Sequence, residues 1–265
     1  MRILSLPVDK GGCGWLRVRQ PLQILGQDPQ IDTHVIDNYK DDFTKIFQAL
    51  CLADILVVRQ GGDVGVDRLR KAVAEGQKES GLPQRFPKVV FDIDDNIEMI
   101  SPYSEHYKEY GQREFTHEGK KIWEDGLRGF DLAKNRTRVE NLLHFMTKAD
   151  MVSVTTPKLA EYAKQYNSNV AVLPNSIDPD KWWPLETKPH KKLRVGWSGG
   201  VSHYEDWFSI KEPLNKLMRE FQFTLVSVGA HFSGIIDDDN KHLVEVHPWV
   251  PFEAHSYHMI AMDLD

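Results

Sequence analysis

Residues 193–206, LRVGWSGGVSHYED, decide the fold class of this chain. The apolar run at its start predicts a strand at Leu193–Trp197, and the glycines that follow predict a turn. The polar stretch after the turn predicts a helix from about Glu205 to Phe221. Strand, glycine turn and helix in this order are typical of one repeat of a parallel α/β sheet.

The same alternation of short apolar runs and longer amphipathic stretches extends in both directions. Downstream it predicts strands at Phe223–Val228 and Leu243–Val246 and a last helix near Phe252–Met262. Upstream, six predicted strands fill one sheet: Arg2–Pro7, Thr33–Ile36, Ile55–Val58, Val89–Ile93, Met151–Val154 and Val170–Leu173. The stretch Ser101–Asp150 is interpreted as an excursion that ends in one long helix. The predicted fold class is therefore α/β with Rossmann-like domains.

A cluster of prolines and tryptophans at Pro174–Pro189 has the composition of a linker. We predict a Rossmann-like domain over residues 1–180, a linker over 181–192 and a second Rossmann-like domain over 193–265. A doubly wound nucleotide-binding domain normally contains two halves. Because the second domain has room for only one, we expect it to be incomplete, with the chain ending partway through it.

Composition argues against several classes of protein. The 265 residues carry 33 Lys and Arg against 39 Asp and Glu, a net charge of -6, so no basic surface for nucleic acid is expected. No apolar run approaches the roughly 20 residues of a transmembrane helix, and the first residues lack a signal-peptide pattern. The 2 cysteines and 11 histidines show no metal-ligand spacing. We expect a cytoplasmic protein with no transmembrane segment and no bound metal.

Three aspartates end a predicted strand in VVFDIDDN, residues 89–96. Alternation places Asp92 and Asp94 on one face of the strand and Asp95 beyond it, at the edge where α/β sheets bind ligands. One chemistry that fits is an Asp-x-Asp pair that holds Mg²⁺ against a diphosphate in a GT-A transferase. Another is a haloacid-dehalogenase-like phosphatase with Asp92 as nucleophile, although Asn96 stands where that motif has Thr or Val.

Two further interpretations of these aspartates stay open. A carboxylate can orient an acceptor hydroxyl or remove its proton in a cleft between domains. Alternatively, Asp94 and Asp95 only cap the next segment. The turn with Gly11 and Gly12 after the first strand, and Arg59 after the third, are expected at the same edge of the sheet. For Gly11 and Gly12 a tight turn without ligand is the alternative, and for Arg59 it is a structural ion pair.

Four strings occur in order along the chain: FDIDD at 91–95, TTPKLAEYA at 155–163, VLPNSIDP at 172–179 and VGWSGGVSHYED at 195–206. Together they resemble the GT-B glycosyltransferases of family 4, the group 1 glycosyl transferases, over almost the whole chain. The resemblance implies metal-independent transfer of a sugar from a nucleoside diphosphate sugar. That donor is a substrate, and no cofactor is implied. The implied acceptor is a glycan, a lipid-linked sugar or another hydroxyl compound.

The resemblance also implies site residues. Catalysis would rest on Asp94 and Asp95, and Asn175 would lie on the acceptor side of the cleft, where the strand ends also place Gly11, Gly12 and Arg59. The donor-binding residues would be Ser198, Gly199, Gly200, Ser202, His203, Gly229, Trp249 and Val250. In the turn Ser198–His203, backbone amides and a helix end would hold the diphosphate. This turn has no Arg or Lys, and the chain ends before the family's Glu-x7-Glu helix. A truncated, inactive binding module is therefore the non-enzyme alternative.

Overall fold

The computed structural model describes residues 1–6, 11–36, 43–60, 66–83, 85–176, 190–230, 234–250 and 264. The chain forms two compact units. The first comprises Met1–Glu98 and Ala133–Ile177, and the second comprises Met99–Leu132 and Asp178–Asp265. The excursion predicted after the fourth strand thus groups with the second unit. The predicted linker over 181–192 lies mostly outside the described residues, so the domain boundaries stay a prediction.

Helices and strands alternate along both units. The elements before the excursion are β1 (Arg2–Leu6), α1 (Gly12–Gly14), a π-helical turn (Trp15–Arg19), α2 (Gln20–Leu25), β2 (Asp32–Val35), α3 (Phe43–Leu52), β3 (Ile55–Arg59), α4 (Val66–Glu79) and β4 (Lys88–Ile93). The next are α5 (Tyr107–Tyr110), β5 (Phe115–His117), β6 (Lys120–Trp123), α6 (Leu132–Lys148), β7 (Met151–Val154), α7 (Pro157–Ala163) and β8 (Val170–Val172). The last are β9 (Arg194–Gly199), α8 (Tyr204–Ser209), α9 (Lys211–Phe221), β10 (Thr224–Gly229) and β11 (Val244–His247).

The first unit contains one sheet of six parallel strands in the order β2-β1-β3-β4-β7-β8. Its central strands are apolar because helices cover both faces, and Leu56, Val89 and Val152 are fully buried. The chain runs from β1 outward to β2 and then returns to the other side of β1 with β3. The strand order therefore reverses between β1 and β3, which is where open α/β sheets form a crevice at their carboxyl edge.

Helices α6 and α7 flank strand β7 along the chain, and α6 packs on the sheet. Phe145 of α6 packs on Phe91 of β4 with ring centroids 4.7 Å apart. Helix α7 begins with Thr156 as N-cap, whose hydroxyl accepts a hydrogen bond of 3.1 Å from the amide of Leu159, and Pro157 follows in the first turn. The structure thus confirms the long helix predicted at the end of Ser101–Asp150, and it shows a capped helix directly after β7.

The second unit contains a sheet of three parallel strands in the order β11-β10-β9. On one face, Leu225 belongs to an apolar cluster with Trp207 of α8 and Met218 of α9. On the other face, Val226 and Val228 are fully buried and Leu264 packs against them. The predicted helix near Phe252–Met262 lies outside the described residues.

The predicted helix from Glu205 to Phe221 is wrong in one respect, because two helices, α8 and α9, occupy this stretch. The break falls at Ile210, whose backbone has φ -104° and ψ 6°. Pro213 explains it, since a proline has no N–H to donate to the carbonyl of Ser209 four residues earlier. The glycine turn is therefore followed by a helix of only 6 residues.

The structure confirms the α/β class and both sets of parallel strands. It adds the antiparallel hairpin β5–β6, which the sequence analysis missed. In the described part of the chain, no helix combines the length and apolar character needed to cross a membrane.

Candidate functional site

The carboxyl edge of the first sheet collects charged and polar side chains from three strands and one helical turn. Arg59 ends β3, Asp92 and Asp94 lie at the end of β4, and Ser153 lies in β7. Arg17 comes from the π-helical turn after β1. These side chains form two separate ion pairs, Arg17 with Asp92 and Arg59 with Asp94.

Arg17 and Asp92 form a buried pair, with each side chain only 3% exposed. The guanidinium donates through two nitrogens to the two carboxylate oxygens, and the Nε to Oδ2 distance is 3.1 Å. The hydroxyl of Ser153 donates a third bond of 2.6 Å to Oδ1 of Asp92. A bidentate pair with an additional donor satisfies the charge that burial would otherwise penalise.

This geometry bears on the metal and phosphatase alternatives. A phosphoryl-accepting Asp92 needs a free carboxylate oxygen, but Arg17 and Ser153 occupy both. A metal held by Asp92 and Asp94 would compete with an arginine at each carboxylate. Within the described residues, no group of three or more His, Cys, Asp or Glu side chains is arranged to bind a metal ion. Asp92 is therefore best explained as a structural residue.

Asp94 has a different environment. Its carboxylate lies 2.7 Å from Nη2 of Arg59, and the two side chains are 9% and 10% exposed. Burial opposes ionisation of Asp94, but the charge of Arg59 and hydrogen bonds from Cys13 and Arg59 outweigh it and lower the pKa of this carboxyl. A carboxylate with a lowered pKa is a poor proton acceptor. It is suited to accepting a hydrogen bond from a hydroxyl and thereby orienting it.

Because the pKa of Asp94 is lowered by folding, its ionised form stabilises the protein above the pKa of the unfolded carboxyl, about 3.9, and this contribution is lost as pH falls through the lower folded pKa. We expect Asp94→Asn to be less stable than wild type at about pH 6 and the difference to shrink towards about pH 2. Urea unfolding of both proteins across this range measures it. A stability difference between the two proteins that stays constant over this pH range would contradict the lowered pKa of Asp94.

The other residues predicted on this side lie around the two ion pairs. Gly11 immediately precedes α1, and its carbonyl accepts a bond of 2.9 Å from the amide of Trp15. Gly12 is the first residue of α1 and is half-buried. Asn175 is exposed after β8, with its Oδ1 3.5 Å from Nη1 of Arg17. Asp95 is exposed next to Asp94. The structural ion pair that we considered for Arg59 is present.

The carboxyl edge of the sheet in the second unit brings three strand ends together. Gly199 ends β9, Gly229 ends β10, and Trp249 follows β11. The carbonyl of Gly199 accepts a bond of 2.9 Å from the amide of Ala230. Gly229 has φ +89°, and a Cβ on it would lie 2.6 Å from the Gly199 oxygen and 2.8 Å from the Trp249 ring. This glycine therefore allows Trp249 to lie close over the ends of β9 and β10.

The turn after β9 is open on its outer side. A Cβ on Gly200 would meet no atom within 4 Å, and its backbone, with φ -90° and ψ 177°, accepts any residue. Ser198 is half-buried and Ser202 is exposed, as is Trp249, whereas Val250 is half-buried. Half of the His203 side chain is exposed. The predicted donor residues thus surround one exposed edge of the second sheet.

Several residues of these clusters were missed by the sequence analysis. Arg17 lies 75 residues before Asp92, and Ser153 lies 61 residues after it. Cys13 was considered only as one of two cysteines without metal-ligand spacing, and Asp206, which contacts His203 at 2.8 Å, was not assigned. The contact of Asp206 with His203 could have been predicted, because side chains three positions apart at the start of a helix are neighbours.

No protein-family model and no curated protein match this sequence. Two solved structures show a distant likeness. One is UGT71G1 of Medicago truncatula complexed with UDP-glucose, at 9% identity and TM-score 0.39, covering 94% of this chain and 72% of that one. The other is the NAD-complexed D-isomer specific 2-hydroxyacid dehydrogenase of Lactobacillus delbrueckii ssp. bulgaricus, at 11% identity and TM-score 0.22, covering 99% and 94%. At these TM-scores neither likeness carries an argument about this chain.

Proposed function

We propose that this chain is a glycosyltransferase of the GT-B, family 4 type. It moves a sugar, without a metal ion, from a nucleoside diphosphate sugar to a hydroxyl group of a glycan, a lipid-linked sugar or a related acceptor. The second unit binds the donor and the first unit binds the acceptor. The four sequence strings that resemble this family, in their order along the chain, are the starting point.

The observation that carries the proposal is the meeting of three strand ends in the second unit. The turn is open at Gly200, which leaves backbone and space for a diphosphate, and Trp249 lies over Gly229 at the neighbouring strand end. No acidic residue interrupts Ser198–His203. With only 6 residues in α8, we assign phosphate binding to the turn and to His203 rather than to a long helix dipole.

On the acceptor side, the proposal uses the first sheet's carboxyl edge at its topological switch point. Asp94, ionised and fixed by Arg59, accepts a hydrogen bond from the acceptor hydroxyl, and exposed Asp95 contributes to the same binding surface. Gly11, Gly12 and Asn175 border the crevice.

The chemistry that these groups supply is positioning and charge stabilisation. The acceptor oxygen forms a bond to the anomeric carbon while the bond from that carbon to the diphosphate oxygen breaks. The products are the glycosylated acceptor, the nucleoside diphosphate and the proton of the acceptor hydroxyl. Donors at the turn stabilise the negative charge that develops on the leaving diphosphate.

The test is release of nucleoside diphosphate from UDP-, GDP- and ADP-linked hexoses, with water as acceptor and EDTA present. We expect release with one of the three donors and at least about tenfold slower release by Asp94→Asn and Asp95→Asn. Asp239→Asn, which removes an exposed carboxylate of the second unit, is the matched control. Loss of release in EDTA would favour the Asp-x-Asp metal enzyme. Donor binding without release would favour the inactive binding module.

A further inference from the structure

His203 and Asp206 form a pair beside the turn that we propose to bind the donor diphosphate. Nδ1 of His203 lies 2.8 Å from Oδ2 of Asp206, and the two side chains are 50% and 77% exposed. A surface pair of this kind contributes little stability. The His203–Asp206 pair is of interest because it lies beside the proposed donor site, not because of its contribution to stability.

The other edge of the imidazole faces the turn. A Cβ on Gly199 would lie 3.2 Å from Cδ2 of His203, and the His203 ring packs edge-to-face against Trp197 with centroids 6.0 Å apart. Nε2 is bonded to Cδ2. The ring therefore directs Nδ1 to Asp206 and carries Nε2 on the side of Gly199.

The protonation state follows from these two directions. A carboxylate only accepts hydrogen bonds, so the contact with Asp206 requires a proton on Nδ1. A phosphate oxygen is also an acceptor, so a contact from Nε2 requires a second proton. His203 can make both contacts only as the doubly protonated cation.

We propose that His203 binds the donor diphosphate as an imidazolium cation, that Asp206 is its positioning residue, and that binding therefore takes up a proton. This inference rests on the proposed donor site. It supplies the cationic group that the turn otherwise lacks, because no Arg or Lys occurs between Trp197 and Lys211.

Asp206 is the charged side chain that contacts the imidazole in the described part of the second unit, and Tyr204 and Glu205 are the titratable residues next to His203 in sequence. The residues of β9 that lie against the ring, Trp197 and Gly199, are uncharged. Asp206 by itself would repel a diphosphate. Its removal therefore has opposite consequences under the two interpretations: simple repulsion predicts tighter binding, and positioning of His203 predicts weaker binding.

The test is calorimetric titration of the full chain with UDP, GDP and ADP, using the tightest binder in two buffers of different ionisation enthalpy at about pH 7.5. We expect proton uptake by wild type that is lost in His203→Gln. We expect Asp206→Asn to weaken the diphosphate about tenfold and to leave the unphosphorylated nucleoside unchanged. Glu205→Gln, which removes the neighbouring charge, is the matched control and should bind equally or more tightly.

Equal or tighter diphosphate binding by Asp206→Asn, or proton uptake that persists in His203→Gln, would overturn this inference and leave the donor site standing. Absence of nucleotide binding by wild type, or binding that Gly200→Val does not change, would overturn the donor site and the inference with it. The Gly200 variant thus separates the two failures.

Discussion

Arg17→Met is expected to lower the free energy of unfolding by about 3 to 5 kcal/mol, the largest stability effect that we predict for a single substitution. Methionine fills a similar volume but leaves the carboxylate of Asp92, 3% exposed, without its bidentate partner. Ser153 alone then satisfies a buried charge. The arginine also donates to the carbonyl of Leu173, so the segment after β8 loses a contact as well. Urea unfolding followed by circular dichroism measures the change.

Two variants make this result specific. Arg85→Met breaks an ion pair with Asp54 whose side chains are 55% and 39% exposed, and should change stability far less than Arg17→Met does. Adding Asp92→Asn to Arg17→Met removes the stranded charge and should recover part of the loss. A loss for Arg17→Met no greater than that for Arg85→Met would contradict the buried pair.

Gly200→Val is expected to weaken binding of a nucleoside diphosphate by about 1 to 3 kcal/mol, roughly 5- to 150-fold, while leaving the protein folded. The new side chain meets no protein atom within 4 Å, and the backbone conformation is one that valine adopts. It therefore occupies the space where the proposal places the diphosphate. Isothermal titration of both proteins measures the change.

Gly234→Val provides the matched control. This glycine also lies in the second unit, and a Cβ there also meets no atom within 4 Å. Its substitution should leave the affinity unchanged. Gly199→Val is less informative, because its Cβ would lie 2.5 Å from the ring of Trp197 and would disturb the fold itself. Equal affinities of wild type and Gly200→Val would place the donor elsewhere.

The parallel strands were predictable because strands buried on both faces must be continuous apolar runs. This holds for β3 and β7, whose predicted and observed positions agree to within one residue. The hairpin β5–β6 was missed because its strands, FTH and KKIW, are short and carry exposed polar residues. The break at Ile210 was missed because the helical spacing of apolar residues continues across it. Pro213, which lacks a backbone N–H, is the sequence feature that indicates the helix break.

In the candidate sites, the sequence predicts those residues that directly follow a strand along the chain. The glycines of the turn at Ser198–His203 and the aspartates after β4 follow directly from strand ends. Arg59 was expected at the same edge of the sheet, with an ion pair as one interpretation. Arg17 was not, because it comes from the helical turn after β1, 75 residues before Asp92. The alternation that places Asp92 and Asp94 on one face gives no indication that each has its own arginine.

A map of backbone amide chemical shifts during titration with the tightest-binding nucleoside diphosphate tests the donor site residue by residue. We expect the largest changes at Gly199, Gly200 and His203, with further changes at Gly229 and Val250. Changes confined to the first unit, around Gly12 and Arg17, would contradict it. That result would place the nucleotide at the edge that we assign to the acceptor.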